Sequence, residues 1–148
     1  MANPLLESHS LPPFSLIRNE DIEPAIRELI TRTKDEIERL LNLNTVYTWE
    51  NLLQPIEQLD DDIANCWSPI SHLNGVMNSQ DLRTAYNACL PLLSEYNTWL
   101  GQHTRLCAAH NDIANAEQFS ALESGQQRAV SNALRDFHLA GVSLPVEE

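Results

Sequence analysis

Cysteine is scarce in this chain of 148 residues, which has only three, Cys66, Cys89 and Cys107. None of them forms a CxxC pair, and an odd count without a dense framework is unlike a small secreted domain held together by disulfides. We therefore expect free thiols, which suit a reducing compartment better than an extracellular one.

Basic residues are also few, with 9 Lys and Arg against 21 Asp and Glu, and the formal net charge is -12. No basic residue occurs between Arg39 and Arg83. Nucleic acids and anionic membrane surfaces attract proteins through clustered Lys and Arg. The charge pattern therefore predicts that neither is a partner.

Long hydrophobic runs are missing, since no segment reaches the ~18 apolar residues of a membrane span. The opening segment MANPLLESHSLPPF has no cationic stretch ahead of an apolar run, so it does not read as a signal peptide. We expect neither a membrane segment nor a secretory leader, and we predict a cytoplasmic location.

Glycine-rich phosphate loops and strand-like alternation are missing too, and what remains is helical. A hydrophobic content of 43% indicates a folded chain. Apolar residues recur every three and four positions, which predicts an all-α fold, an elongated antiparallel bundle of four to five helices kinked at prolines. We assign residues 1–148 to a single helical domain, with an extended arm at 1–18 and an extended tail at 142–148.

Capping residues set the predicted helix borders. Asn19 caps the first helix, and Thr48 caps a second helical region. A third, long helix with a bend at its proline is predicted over 80–116. The last helix is predicted to start at about Ser124 and to stop at Gly141.

The segment HTRLCAAH places His103, Cys107 and His110 at spacings of four and three, on one face of the predicted third helix. Residues seven apart are separated by roughly 10 Å of helix rise, too far for all three to reach one zinc ion at about 2.0 to 2.3 Å. At most two of them could serve as ligands. The favoured interpretation is a packed thiol beside two partly exposed histidines.

Other residue patterns are also better explained by structure than by chemistry. The run Asp60, Asp61 and Asp62 lacks the glycine and the final glutamate of a calcium loop, so it predicts a solvated helix face. Tyr96 and Trp99 lie one turn apart, a spacing typical of core or interface packing. No Ser or Cys nucleophile has a base beside it. We predict no catalytic, cofactor-binding or metal-binding residue in this chain.

A resemblance to a known family rests on several segments taken in order. They are NPLL and LPPF near the start, YTWENLLQPI (47–56), SPISHLNGV (68–76), LPLLSEYNTWLGQH (90–103) and NALRDFHLAG (132–141). Together they resemble the N-terminal helical region of the thimet-oligopeptidase-like zinc metallopeptidases. The resemblance extends over essentially the whole chain.

That resemblance implies a cytoplasmic enzyme that cuts short peptides in a channel between two largely helical lobes. The family binds its zinc on an HExxH helix, and this chain has no HExxH. Its histidines never form HxxxH; they are His9, His72, His103, His110 and His138. The resemblance therefore implies that zinc belongs to the full-length family, that this chain alone is inactive, and that it helps to wall the channel.

The partners implied are the remainder of the parent peptidase and, in that context, short peptides. A stand-alone helical module that binds a peptide or protein without catalysis is the alternative. If the first interpretation holds, apolar helix faces are left uncovered, and we expect the isolated chain to form a homodimer.

Overall fold

A computed structural model describes residues 3–7, 11–77 and 79–142. These ranges contain helices and no β-strand, which confirms the all-α fold class. None of the helices described is long and apolar enough to cross a membrane. The five α-helices are α1 (Asn19–Leu43), α2 (Gln54–Val76), α3 (Gln80–Gly101), α4 (Thr104–Asn115) and α5 (Ser124–Leu139).

Helix α1 is amphipathic over its whole length. Its first turn carries Glu20 and Asp21, whose charge complements the positive end of the helix dipole. The buried face is continuous, because Thr33, which interrupts the apolar pattern, is itself buried. The other members of that face are Ile22, Ala25, Ile26, Leu29, Ile30, Ile37, Leu40 and Leu41.

The start of the second helical region is fixed by a capping box. The Thr48 hydroxyl accepts a hydrogen bond from the Asn51 backbone N–H at 3.1 Å, and the Asn51 side chain accepts one from the Thr48 N–H at 2.8 Å. A wide helical turn, Trp49–Leu53, leads into α2. The predicted cap is confirmed, and α2 then continues past Pro69.

The chain divides into two compact units, and the first consists of Met1–Ile37 and Pro55–Tyr96. In this unit α2 and α3 are antiparallel, since Trp67 stacks on Tyr86 and Asp60 bonds the more distant Tyr96. Buried Ile63 and Ile70 lie on the same helix as Trp67.

The N-terminal segment belongs to this first unit. It contains a short 3-10 turn, Pro4–Leu6, in which Leu5 is buried. The Asn3 side chain donates a hydrogen bond to the Asp21 carbonyl oxygen at 2.8 Å. The predicted arm at 1–18 therefore holds local structure, although residues 1–2 and 8–10 lie outside the described part.

The second unit consists of Glu38–Gln54 and Asn97–Glu148. Helices α4 and α5 pack together through His110 and Phe137, whose ring centroids are 5.2 Å apart. A Cβ added at Gly101 would lie 3.0 Å from the Ala140 Cβ, so glycine allows this close approach. Gly141 has φ 86, as the predicted stop requires. The predicted tail, 142–148, lies outside the described residues apart from its first member.

One predicted helix is wrong in extent. The sequence pattern favoured a single helix over 80–116, but α3 ends at Gly101 and α4 starts at Thr104. His103 between them is extended, with φ -79 and ψ 101. Apolar spacing continues across the break because both helices bury a face, so periodicity alone does not reveal it.

Candidate functional site

His103, the first residue of the HTRLCAAH segment, is the N-cap of α4 and not a member of a helix. Its Nδ1 accepts a hydrogen bond from the Leu106 backbone N–H at 3.1 Å. Its Nε2 lies 2.6 Å from Glu38 Oε1, and its ring meets Trp99 edge-on at 4.9 Å. A ring that accepts at Nδ1 and donates at Nε2 is the neutral Nε2–H tautomer. Both ring nitrogens of His103 therefore already have hydrogen-bond partners within the protein.

His110, at the other end of the segment, is buried in the second unit. Its Nδ1 lies 2.8 Å from the Leu106 carbonyl oxygen, to which it donates, and its ring packs edge-on against Phe137. Burial lowers the pKa of His110, and the bond to the Leu106 carbonyl acts in the opposite direction. The expectation of a partly exposed histidine is wrong here, because α5 covers the ring.

These positions change the interpretation of the segment. The prediction that His103, Cys107 and His110 share one helix face is wrong, since only Cys107 and His110 are helical. Cys107 is half-buried, and burial raises the pKa of its thiol. Metal binding by His103 would require loss of the cap or of the contact with Glu38. Within the described ranges, no group of three or more His, Cys, Asp or Glu side chains could hold a metal ion.

The acidic run on α2 is a mostly solvated face with one specific contact. The hydroxyl of buried Tyr96 donates to Asp60 Oδ1 at 3.0 Å. Burial raises the pKa of Asp60, the Tyr96 bond opposes this shift, and the charge of Asp61 adds to it. The pKa of Glu57 is raised mainly by burial, and the negative charges of Asp61 and Asp60 add to the shift. These shifts follow first from burial and then from neighbouring carboxylates on a helix that has no Lys or Arg.

Two thiols are buried in the first unit. Burial raises the pKa of Cys66 to about 12 and that of Cys89 to about 11. A thiol that stays protonated is a poor nucleophile.

Cys66 lines a cavity of about 510 Å³ between the N-terminal segment, α1 and α2, whose walls also include Leu29 and Arg32. Arg32 forms an ion pair with Glu28 on α1, so its guanidinium is not an unpaired positive charge in the cavity wall.

Three functional-looking contacts could not have been found from local sequence. They join His103 to Glu38, Tyr96 to Asp60 and His110 to Phe137. The partners are 65, 36 and 27 residues apart. The predicted packing role of the aromatic residues is confirmed, because Tyr96 is buried and Trp99 packs on His103.

Comparison with known proteins gives a consistent result. Residues 26–148 match the family model of the neurolysin/thimet oligopeptidase N-terminal domain. Oligopeptidase A of Escherichia coli strain K12 and oligopeptidase A of Salmonella typhimurium strain LT2 are each 47% identical over 148 residues. The organellar oligopeptidase A of Arabidopsis thaliana, chloroplastic/mitochondrial, is 29% identical over 147 residues. The alignments with the two bacterial proteins cover 100% of this chain and 22% of each relative, so the chain spans about a fifth of their length.

Proposed function

Since this chain belongs to the family of neurolysin/thimet oligopeptidase N-terminal domains, we propose that it is the non-catalytic N-terminal region of a zinc-dependent oligopeptidase that cleaves short peptides. The observation that carries the proposal is the match of the whole chain, at 47% identity, to 22% of oligopeptidase A. The catalytic chemistry then belongs to the other four-fifths of such a protein. The role of this chain is to help enclose the substrate.

Zinc does not fit the residues that the structure describes. The two histidines nearest to each other in sequence are His103 and His110. His103 uses both ring nitrogens, and Nδ1 of His110 is bonded to a carbonyl. A catalytic zinc needs three protein ligands and an open position for water. We therefore assign zinc binding in the whole protein to residues outside this chain.

The proposed contribution to a channel wall rests on exposed apolar side chains at helix ends. Val76 is the last residue of α2 and Met77 follows it, with 63% and 69% of their surface exposed. In the other unit, Leu43 is the last residue of α1 and Val46 lies just beyond it, with 65% and 74% of their surface exposed. Removing such apolar surface from water is favourable, so these side chains are suited to contact with another part of a protein. The remainder of the parent peptidase is the proposed partner.

The proposed location is the cytoplasm. The three cysteines, Cys66, Cys89 and Cys107, are all free thiols, and Cys66 and Cys89 are buried. Free buried thiols are typical of proteins that fold under reducing conditions. For the isolated chain we propose a homodimer formed through apolar surface that the parent would cover.

Peptide photo-crosslinking in the full-length parent tests the enclosing role. A non-cleavable substrate analogue with a photoreactive group near each end would be irradiated with the parent, and the attachment sites mapped by mass spectrometry. We expect attachment within residues 1–148, suppressed by excess unlabelled peptide. Attachment confined to the rest of the parent would contradict the enclosing role.

A matched cleavage assay separates the two functional classes. The parent is expected to hydrolyse an internally quenched peptide that the 148-residue chain leaves intact. Saturable peptide binding by the isolated chain, with an affinity equal to that of the parent, would instead support the stand-alone binding module.

A further inference from the structure

The Leu106 backbone lies between two histidines that use it in opposite ways. Its N–H donates to His103 Nδ1 at 3.1 Å, while its carbonyl oxygen accepts from His110 Nδ1 at 2.8 Å. The first bond needs a lone pair on an imidazole nitrogen, and the second needs a proton there. The two bonds therefore respond differently to acid.

Protonation of an imidazole makes both of its nitrogens donors. The His110 bond survives, because its Nδ1 already carries a proton. The His103 bond does not, because a protonated Nδ1 would face the Leu106 N–H, donor against donor. The first-turn amides of α4 also form the positive end of that helix and disfavour a cation there.

The charged groups that face His103 from neighbouring elements are Glu38 on α1 and Arg105 in the first turn of α4. Glu38 Oε1 is 2.6 Å from His103 Nε2, and Glu38 Oε2 is 3.5 Å from Arg105 Nη1. Arg105 also donates to the Asn42 side chain at 3.0 Å. The α3 residue in contact is Trp99, which is uncharged. A protonated His103 can thus keep its contact with Glu38 while it loses the one with Leu106.

We propose that His103 is a pH-dependent N-cap of α4, which closes the first turn of that helix when neutral and releases the Leu106 N–H when protonated, while staying paired with Glu38. This change acts at the α3–α4 break, where the chain is extended and can adjust without disrupting a helix interior.

Amide hydrogen exchange read by NMR tests this proposal. The protection factor of the Leu106 amide, corrected for the intrinsic exchange rate at each pH, is expected to fall roughly fivefold between pH 8 and pH 5.5, as for loss of a typical N-cap. The fall should follow the ring signals of His103. The protection factor of Ile63, buried in the other unit, reports any change in stability that is not local to α4, and the fall at Leu106 should exceed the fall at Ile63.

Two variants separate the cap from other effects of acid. His103→Asn keeps a side-chain acceptor at the N-cap, so its Leu106 protection should be the same at both pH values. His103→Ala lacks the acceptor and should show low protection at both. The proposal is overturned if Leu106 protection in the unsubstituted chain is unchanged while His103 titrates, or if His103 stays neutral down to pH 5.5. It is also overturned if the change follows His110, or if His103→Asn keeps the full pH dependence.

Discussion

The hydrogen bond between Tyr96 and Asp60 offers a sharp test of the packing of α2 against α3. Tyr96 is 4% exposed, and its hydroxyl donates to Asp60 Oδ1 at 3.0 Å. Tyr96→Phe removes one oxygen atom and leaves the buried ring in place. The acceptor that loses its partner, Asp60, is an exposed residue, so the lost bond should account for most of the cost of the substitution.

The magnitude follows from the environment of the carboxylate. A hydrogen bond to a charged group contributes about 1.5 to 3 kcal/mol, and solvent lowers that value when the charged partner is accessible. Asp60 is exposed as a residue, although its carboxylate is partly covered where it meets Tyr96. We therefore expect a loss of about 1 kcal/mol in the free energy of unfolding at pH 7. The loss should shrink as Asp60 is protonated, because a neutral acceptor forms the weaker bond.

Urea denaturation followed by circular dichroism at pH 7 and pH 4 provides the measurement. The matched control is Tyr86→Phe on the same helix, since the half-buried Tyr86 stacks on Trp67 and its hydroxyl makes no hydrogen bond to the described residues. The control should stay within about 0.5 kcal/mol of the unsubstituted chain. Equal losses in both variants, or a loss in Tyr96→Phe that does not depend on pH, would refute the reasoning.

Three further predictions concern charge, thiols and association. Because the pKa of Asp60 is raised in the folded state, its negative charge destabilises the fold once the pH rises above that pKa. Asp60→Asn should therefore increase the free energy of unfolding by a few tenths of a kcal/mol at pH 7 and leave it unchanged at acidic pH, as thermal melts would show. Cys107 should react first with a maleimide, while Cys66 and Cys89, buried and with raised pKa values, should react only after unfolding, as mass spectrometry of timed samples would show. The isolated chain should self-associate more strongly as salt screens its net charge of -12, and a strict monomer by light scattering in low and high salt would contradict the dimer.

Local patterns were sufficient to predict most of the helices. The α1 face was legible because apolar residues recur at helical spacing, and the structure buries Ile22, Ile26 and Ile37 completely. Thr48 and Gly141 were predictable as well, since a capping box and a left-handed stop depend on residues within one turn.

The α3–α4 break was not predictable in the same way. Histidine is not a usual N-cap, and His103 serves as one because Glu38 and Trp99 hold its ring in place. Glu38 is 65 residues away along the chain. A contact of that separation leaves no trace in local periodicity, so the sequence indicated a continuous helix and a shared face for three side chains that the fold places differently.

The chain belongs to the family of neurolysin/thimet oligopeptidase N-terminal domains, and we propose that it has no catalytic centre of its own. The most direct test is to incubate the 148-residue chain with an internally quenched peptide, with added zinc and separately with a chelator, beside the variants His103→Ala and His110→Ala. We predict no turnover above background and no stoichiometric zinc by elemental analysis, because the described residues include no group of three or more ligands that could hold a metal ion. Chelator-sensitive turnover that either variant abolishes would contradict the account.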